Sequence, residues 1–280
     1  MAATKNSSQQ VPDFPRPYTT VDVVIFTVVD AALQVLLVQR PQKATEPFPA
    51  LWALPGGFVN IEKDDDLQAC AERKLKEKTG VDSPYLEQLG SWGGATRDPR
   101  GWSATHVYFA LIPAQNLTLT KGANAADVAW FKVDELLTEP NLAFDHNEIL
   151  RTAVERLRGK VEYTSLPAFL LNEPFTLPQL QQMYEIVLGR PVDKSGFRTR
   201  MLAAKFLVEA GHVEGTSNRP AMGYRLADRH EAGSALRVVR LTEASWSSAP
   251  GPEGRPLPLV FHHAAALQID EAIGEGLPRA

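Results

Sequence analysis

Leu67-Gln68-Ala69-Cys70-Ala71-Glu72-Arg73-Lys74-Leu75-Lys76-Glu77-Lys78-Thr79-Gly80-Val81 is the stretch on which the reading of this chain turns. Leu67, Ala71 and Leu75 fall at i, i+4 and i+8, on one face of a helix. The acids Asp64, Asp65 and Asp66 suit the positive amino end, and Gly80 is a natural stop, so the pattern predicts a helix over 67–79. In its second half that helix carries Lys74, Lys76 and Lys78 around a single acid, Glu77.

Outward from the helix, residues 21–29 read as a β-branched strand, Asp30-Ala31-Ala32 as a turn and 33–39 as the partner strand. Residues 51–60 contain Pro55-Gly56-Gly57, which interrupts regular structure and lets the backbone approach another group closely. Strands are expected at 105–112 and 128–131, a short helix at 134–137 and another at 147–158. Alternating strands and helices over about 140 residues point to one mixed α/β domain. From Ser165 the texture changes. Thr176 is placed to cap a helix over 177–188, with Pro178 in the first turn, where its missing N–H costs nothing. After a turn at 189–193, residues 195–210 read as a second helix ended by Gly211, with the apolar stripe Phe197, Met201, Ala204 and Val208. A hairpin over 212–226, around Ser217-Asn218-Arg219-Pro220, completes the helix, turn, helix, hairpin order of a winged helix. Residues 1–18 read as a mobile lead-in, 19–160 as the first domain, 161–228 as the second, and 229–280 as a tail without periodicity.

With 280 residues the chain has room for two modest domains, and 44% hydrophobic with 22% charged residues is the composition of a soluble globular protein. One cysteine, Cys70, excludes a disulfide framework and a cysteine-based zinc site. No apolar run approaches a membrane span, and the polar start lacks the apolar core of a signal peptide, so a cytoplasmic location is expected. The net charge of −4 decides nothing about nucleic acid, because phosphate affinity depends on where the cations lie.

Residues 57–81 resemble the Nudix box: Gly, five residues, Glu, seven residues, then Arg-Glu-aliphatic-x-Glu-Glu-x-Gly-aliphatic. Arg73, Leu75, Glu77, Gly80 and Val81 match its second half, but Lys74 and Lys78 stand where two of the three carboxylates belong. The spacing from Gly57 to Gly80 is also two residues too long. Nudix hydrolases attack a pyrophosphate with water activated by Mg²⁺, and the box helix supplies the carboxylates that hold that hard cation. Ammonium groups at those positions repel a divalent ion. Glu72 cannot substitute, because it lies about 140° around the helix from Glu77. The expectation is therefore no metal site, no catalytic residues and no required cofactor.

The same lysines suit direct binding of a pyrophosphate, each as a point charge. The loop Arg97-Asp98-Pro99-Arg100-Gly101-Trp102 adds two guanidinium forks and an aromatic plane able to stack a base. The candidate ligand-binding residues are Arg40, Gly56, Gly57, Phe58, Lys74, Glu77, Lys78, Arg97, Arg100 and Trp102. Plainer alternatives stand beside them: Lys74 and Lys78 as surface lysines, Phe58 as packing, Arg97 paired with Asp98 inside the loop, and Trp102 in the core.

In the second domain, Arg190, Lys194, Arg198, Arg200 and Lys205 face one acid, Asp193. That local excess is what a phosphate-binding helix needs. Lys194, Ser195, Arg198, Arg200 and Lys205 on the recognition helix and Arg219 in the wing are the candidate DNA-binding residues. Arg198 and Arg200 either read guanine edges or neutralise phosphates. The alternative is a solvated basic helix on a protein-interaction module.

In combination the chain resembles the NrtR family, regulators of NAD metabolism with a degenerate Nudix domain and a winged helix. The resemblance rests on Leu36-Leu37-Val38-Gln39-Arg40, Leu54-Pro55-Gly56-Gly57-Phe58, the box, and Arg97-Asp98-Pro99-Arg100-Gly101-Trp102-Ser103. It continues with Leu142-Ala143-Phe144-Asp145-His146, Glu173-Pro174-Phe175-Thr176-Leu177-Pro178, and Arg219-Pro220-Ala221. It implies an α+β architecture: a Nudix α/β/α sandwich with a mixed sheet, followed by a winged helix-turn-helix. It further implies a homodimer on a palindromic operator in double-stranded DNA, repression of NAD synthesis, salvage or recycling genes, and ADP-ribose or a related nucleotide as effector. The rival expectation is an active Mg²⁺-dependent ADP-ribose pyrophosphatase with an accessory domain.

Overall fold

The computed structural model describes residues 15–80, 85–114, 119, 125–213 and 220–227. Its spine is strand β1, Tyr18–Val29, in which Val21 to Ile25 alternate between two apolar faces. Val21, Val23 and Ile25 pack on one side with Cys70, Ala71 and Leu75, while Val24 and Phe26 pack on the other with Ile149, Leu150, Ala153 and Val154. A strand buried on both faces belongs at the centre of a sheet covered by helices on each side.

β1 turns at Asp30 and Ala31, both in the left-handed region at φ 51 and 54, into its antiparallel partner β2, Ala32–Gln39. The short strands β3, Trp52–Ala53, and β4, Gly56–Phe58, pair with β2 and β1 respectively. Helix α1, Leu67–Thr79, has the expected limits. The Asp66 side chain accepts the Ala69 N–H at its start, and Gly80 closes it. β5, Leu86–Gly94, and β6, Ser103–Leu111, form an antiparallel pair, and β6 runs parallel to β1. β7, Asp127–Lys132, adds to β2 and leads into α2, Val133–Thr138. Among the described residues the sheet order is β3-β2-β1-β6-β5. Helix α3, His146–Val161, covers the face opposite α1 and completes an α/β/α sandwich with a mixed sheet.

Behind α3 come a 3₁₀ turn, Leu166–Leu170, and strand β8, Phe175–Thr176. Helix α4, Leu177–Leu188, opens with a reciprocal cap between Thr176 and Gln179. Helix α5, Lys194–Ala203, is followed by β9, Leu207–Val213, and β10, Ala221–Leu226, in a sheet of order β8-β10-β9. This is the winged helix that the residue order predicts.

Three expectations need correcting. The second helix stops at Ala203 instead of Ala210: Lys205 turns to φ 55, buried Phe206 accepts the Ala227 N–H, and Leu207 pairs with Leu226. Phe197 and Met201 are the buried stripe, whereas Val208 is exposed on β9. A four-three-four spacing had joined a helix to the strand after it. Gly56 and Gly57 do not interrupt the sheet but pair with Asp22 and Val21 as β4. The lead-in ends earlier than expected, since β1 begins at Tyr18.

The apolar core does not stop at the end of α3. Leu150, Ala153, Val154 and Leu157 belong to one cluster with Leu166, Phe169, Tyr184 and Phe197, and the Tyr85 and Phe169 rings lie 5.3 Å apart. Arg158 Nε donates to the Val187 carbonyl at 3.0 Å, joining α3 to α4. The expected tail, 229–280, lies outside the described residues. Among those described, no helix is long and apolar enough to cross a membrane.

Candidate ligand cleft and nucleic-acid interface

A cleft of about 320 Å³ opens where β1, β4, the end of β2, the loop after β5 and the start of α3 meet. Of the residues expected to bind ligand, Arg40, Gly56, Gly57, Phe58, Lys78, Arg97 and Arg100 line it. Lys74, Glu77 and Trp102 do not. Lys74 lies just behind the wall: its Nζ is 3.1 Å from where a Cβ on Gly57 would sit. Gly57 has φ 146, so a side chain there would be strained as well as obstructed. Glu77 turns to Arg73, whose Nη1 donates to Oε1 at 3.0 Å, with Lys74 Nζ 3.9 Å from the other oxygen. Trp102 is half exposed and packs over Gly93, outside both cleft and core.

The box helix explains this geometry. Arg73 forks onto Asp64, with Nε to Oδ1 and Nη2 to Oδ2 both at 2.6 Å. Asp64 is reached across the lengthened loop, in which it accepts the Asn60 N–H and donates its own to the Asn60 carbonyl. The Arg73 hydrogen bonds outweigh burial and hold the Asp64 carboxyl well below the ordinary range. Glu72 is exposed and accepts from Gln68, away from the cleft. Among the described residues no three His, Cys, Asp or Glu side chains form a group able to hold a metal ion. Burial pulls Lys78 below the ordinary lysine range and Lys74 adds to the effect, against the opposing pull of Glu77.

Each cleft arginine has its own acid. Arg40 donates to Glu46 at 3.0 Å and to the Pro47 carbonyl at 2.6 Å. Arg97 forks onto Asp145, 2.8 Å to each oxygen, and reaches Ser103 at 3.2 Å. Arg100 pairs with buried Asp98 at 2.7 Å. The pairing expected as an alternative, Arg97 with Asp98, is therefore replaced by Arg97 with Asp145 and Arg100 with Asp98. Two aromatic planes back these cations: Arg100 lies 5.3 Å over the exposed Phe58 ring, and Arg40 5.0 Å over Phe144.

The sequence reading missed the cleft floor. Asp22 and His146 both line it and are both buried. Thr105 Oγ1 donates to Asp22 Oδ2 at 2.7 Å, and His146 Nε2 lies 3.7 Å from the same oxygen. His146 Nδ1 accepts the Leu54 N–H at 2.9 Å, which leaves the neutral ring's proton on Nε2, facing Asp22. Burial opposes ionisation of Asp22, but His146, Thr105 and Arg97 outweigh it and hold the carboxyl below its ordinary range. A lone acid inside the apolar run of β1 was the available signal.

On the winged helix, Asp193 caps α5 by accepting the Gly196 N–H at 2.6 Å. Lys194, Ser195, Arg198 and Lys205 are exposed. Arg200 is not: its Nε and Nη2 are shielded from solvent, with no hydrogen-bond partner among the described residues, and its Nη2 lies 3.2 Å from a Cβ position on Gly196. Arg225 on β10 is an exposed cation that the sequence reading did not single out. Arg219 lies outside the described residues.

Fold and sites together define a regulator that joins a Nudix domain to a winged helix. Residues 18–153 match the NUDIX domain family and residues 167–226 the NrtR DNA-binding winged helix domain family. The chain belongs to the NrtR family. It is 46% identical to the ADPR responsive transcriptional repressor NtrR of Acinetobacter baylyi over 218 residues, 78% of this chain and 85% of that protein. The crystal structure of Shewanella oneidensis NrtR complexed with a 27mer DNA matches with a TM-score of 0.70 at 42% identity, over 79% of this chain and 98% of that one. An ADP-ribose pyrophosphatase of Methanocaldococcus jannaschii is 30% identical over 136 residues, 49% of this chain and 75% of that protein.

Proposed function

We propose that this chain is a transcriptional repressor that leaves its operator when ADP-ribose, or a related NAD-derived nucleotide, fills the Nudix cleft. The genes it controls are those of NAD synthesis, salvage or recycling, as the family resemblance implies. One observation carries the reading: ammonium groups occupy two box positions in a chain 46% identical to a repressor described as responsive to ADP-ribose. Residues 19–160 sense the ligand, 161–228 bind DNA, and the working form is a cytoplasmic homodimer on a palindromic site.

Lys78, Arg40, Arg97 and Arg100 hold the diphosphate, with Lys74 reinforcing the field from behind Gly57. Exposed Lys194, Ser195, Arg198 and Lys205 meet the duplex. A cleft-to-DNA connection runs along α3. Its amino end carries Asp145 and His146 into the cleft, and its sixteen residues, about 24 Å long, end against the winged helix. Ligand shifts the operator equilibrium only through its differential affinity for the two states, so DNA weakens ligand binding by the same factor. The separation of the two recognition helices in the dimer, about 34–36 Å on B-DNA, is the geometry at stake.

The pyrophosphatase reading is favoured by the 30% identity over 136 residues to the Methanocaldococcus jannaschii enzyme. Release of AMP from ADP-ribose with Mg²⁺ or Mn²⁺ separates the two. The repressor reading expects no steady turnover, together with gel-shift binding to the chain's own upstream region that ADP-ribose reverses. Sustained turnover without DNA binding establishes the enzyme instead.

A further inference from the structure

The cleft is lined by cations, each arginine hydrogen-bonded to an acid, yet one acid in its floor has no arginine bonded to it among the described residues. Asp22 sits on the central strand, where the residues beside it are apolar and buried. A carboxylate at such a place is costly unless its oxygens are used. Oδ2 is used: Thr105 donates to it, and His146 directs a ring N–H toward it. Oδ1 takes the space that a side chain on residue 56 would fill, lying 1.9 Å from the Cβ position on Gly56. No hydrogen bond to Oδ1 is present among the described residues.

The adjoining residue marks the opposite chemistry. Lys74 Nζ lies behind Gly57, and Lys78 lines the cleft beside it. Gly56 and Gly57 follow one another in β4, so their Cβ positions point to opposite faces of the sheet, Gly56 toward Asp22 and Gly57 toward Lys74. It is Asp22 and Lys78 that line the same cleft. A phosphate drawn to Lys78 is repelled by Asp22. A ligand group that reaches Asp22 must therefore be a hydrogen-bond donor, on a molecule whose phosphate reaches Lys78 in the same cleft. Sugar hydroxyls on a phosphorylated ribose meet that requirement, and inorganic pyrophosphate does not.

Resting on the ligand-sensing reading above, we propose that Asp22 determines ligand specificity by accepting hydroxyl hydrogens from a sugar whose phosphate is held at Lys78. Asp22 thereby selects phosphorylated sugars over bare phosphates.

The test is calorimetric binding of ADP-ribose, ribose 5-phosphate and inorganic pyrophosphate to full-length wild type and to Asp22→Asn, whose side chain has nearly the same shape. Losing a hydrogen bond to a charged acceptor should weaken both sugar ligands by about 10- to 100-fold. Pyrophosphate should bind Asp22→Asn as well as wild type or better, because a repelling charge is gone. If Asp22→Asn does not fold, Thr105→Val withdraws the donor that orients the carboxylate; a loss of about threefold to tenfold confined to the sugar ligands is then expected. Equal losses for all three ligands, or none, overturn the inference by making Asp22 a purely structural group. Wild type that binds pyrophosphate but neither sugar ligand also overturns it. Wild type that binds none of the three overturns the ligand-sensing reading as well.

Discussion

Asp145 stands at the amino end of α3 but does not cap it; both of its carboxylate oxygens accept from Arg97, at 2.8 Å each. The pair is largely buried, with Arg97 8% and Asp145 19% exposed, and it ties the loop after β5 to the helix that packs on the winged helix. Removing one member leaves the other charge desolvated, at a cost of about 3–5 kcal/mol. Asp145→Asn should lower the urea midpoint accordingly. At temperatures where the variant is folded, ADP-ribose should release DNA less effectively. A variant as stable and as responsive as wild type would remove the pair from the account.

Asp64 predicts a pH signature. Its folded carboxyl titrates below the unfolded value of about 3.9, so the stability it gives is complete above that value and is lost as pH falls toward the depressed one. Wild type should melt above Asp64→Asn by a constant interval from about pH 7 to pH 5, and the interval should shrink below about pH 4. An interval unchanged down to pH 2 would show that the Arg73 pair does not carry it.

The two box lysines make a direct prediction about charge. Changing both, Lys74→Glu with Lys78→Glu, replaces two cations by two anions next to the phosphate site. ADP-ribose affinity without divalent ions should fall by at least about 10-fold, since the lost Lys78 contact alone is worth about 1.5–3 kcal/mol. Mg²⁺ should recover part of it, because a divalent ion can then bridge carboxylates and diphosphate. Wild-type affinity should not depend on Mg²⁺. Calorimetry with and without the ion checks both statements.

Arg198 and Arg200 should separate on DNA. Arg198 is exposed on α5, and Arg198→Ala should lower operator affinity and reduce the slope of log K against log salt by about one. Arg200 is packed against Gly196, so Arg200→Ala should change thermal stability as well as DNA affinity. The double variant should abolish the gel shift. Salt slopes by fluorescence anisotropy and melting curves distinguish the two arginines.

Elements set by local chemistry were legible in the sequence. α1 has its expected ends because Asp66 and Gly80 are adjacent to it, and α4 because Thr176 and Gln179 cap it reciprocally. β5 was not legible: Gly90, Gly93 and Gly94 weaken its strand signal, and its pairing shifts register between Gln88 and Gly90. α5 was overextended because Ala204 and Val208 continue a helical spacing that tertiary pairing of β9 overrides. In the cleft, seven expected residues lie on the wall, but the floor depends on contacts between distant parts of the chain. Asp22 and Thr105 are 83 residues apart, and no short motif joins them. Trp102 was misplaced because its residue type says that it can stack, not which way the ring turns.

The central claim, that ligand in the Nudix cleft controls the DNA-binding state, is tested most directly by fluorescence anisotropy of full-length protein on its own upstream DNA, titrated with ADP-ribose in EDTA. The account predicts saturable release of the duplex without any hydrolysis of the nucleotide, and weaker ADP-ribose binding by the same factor when DNA is present. Anisotropy that stays unchanged while calorimetry shows ADP-ribose bound would contradict it.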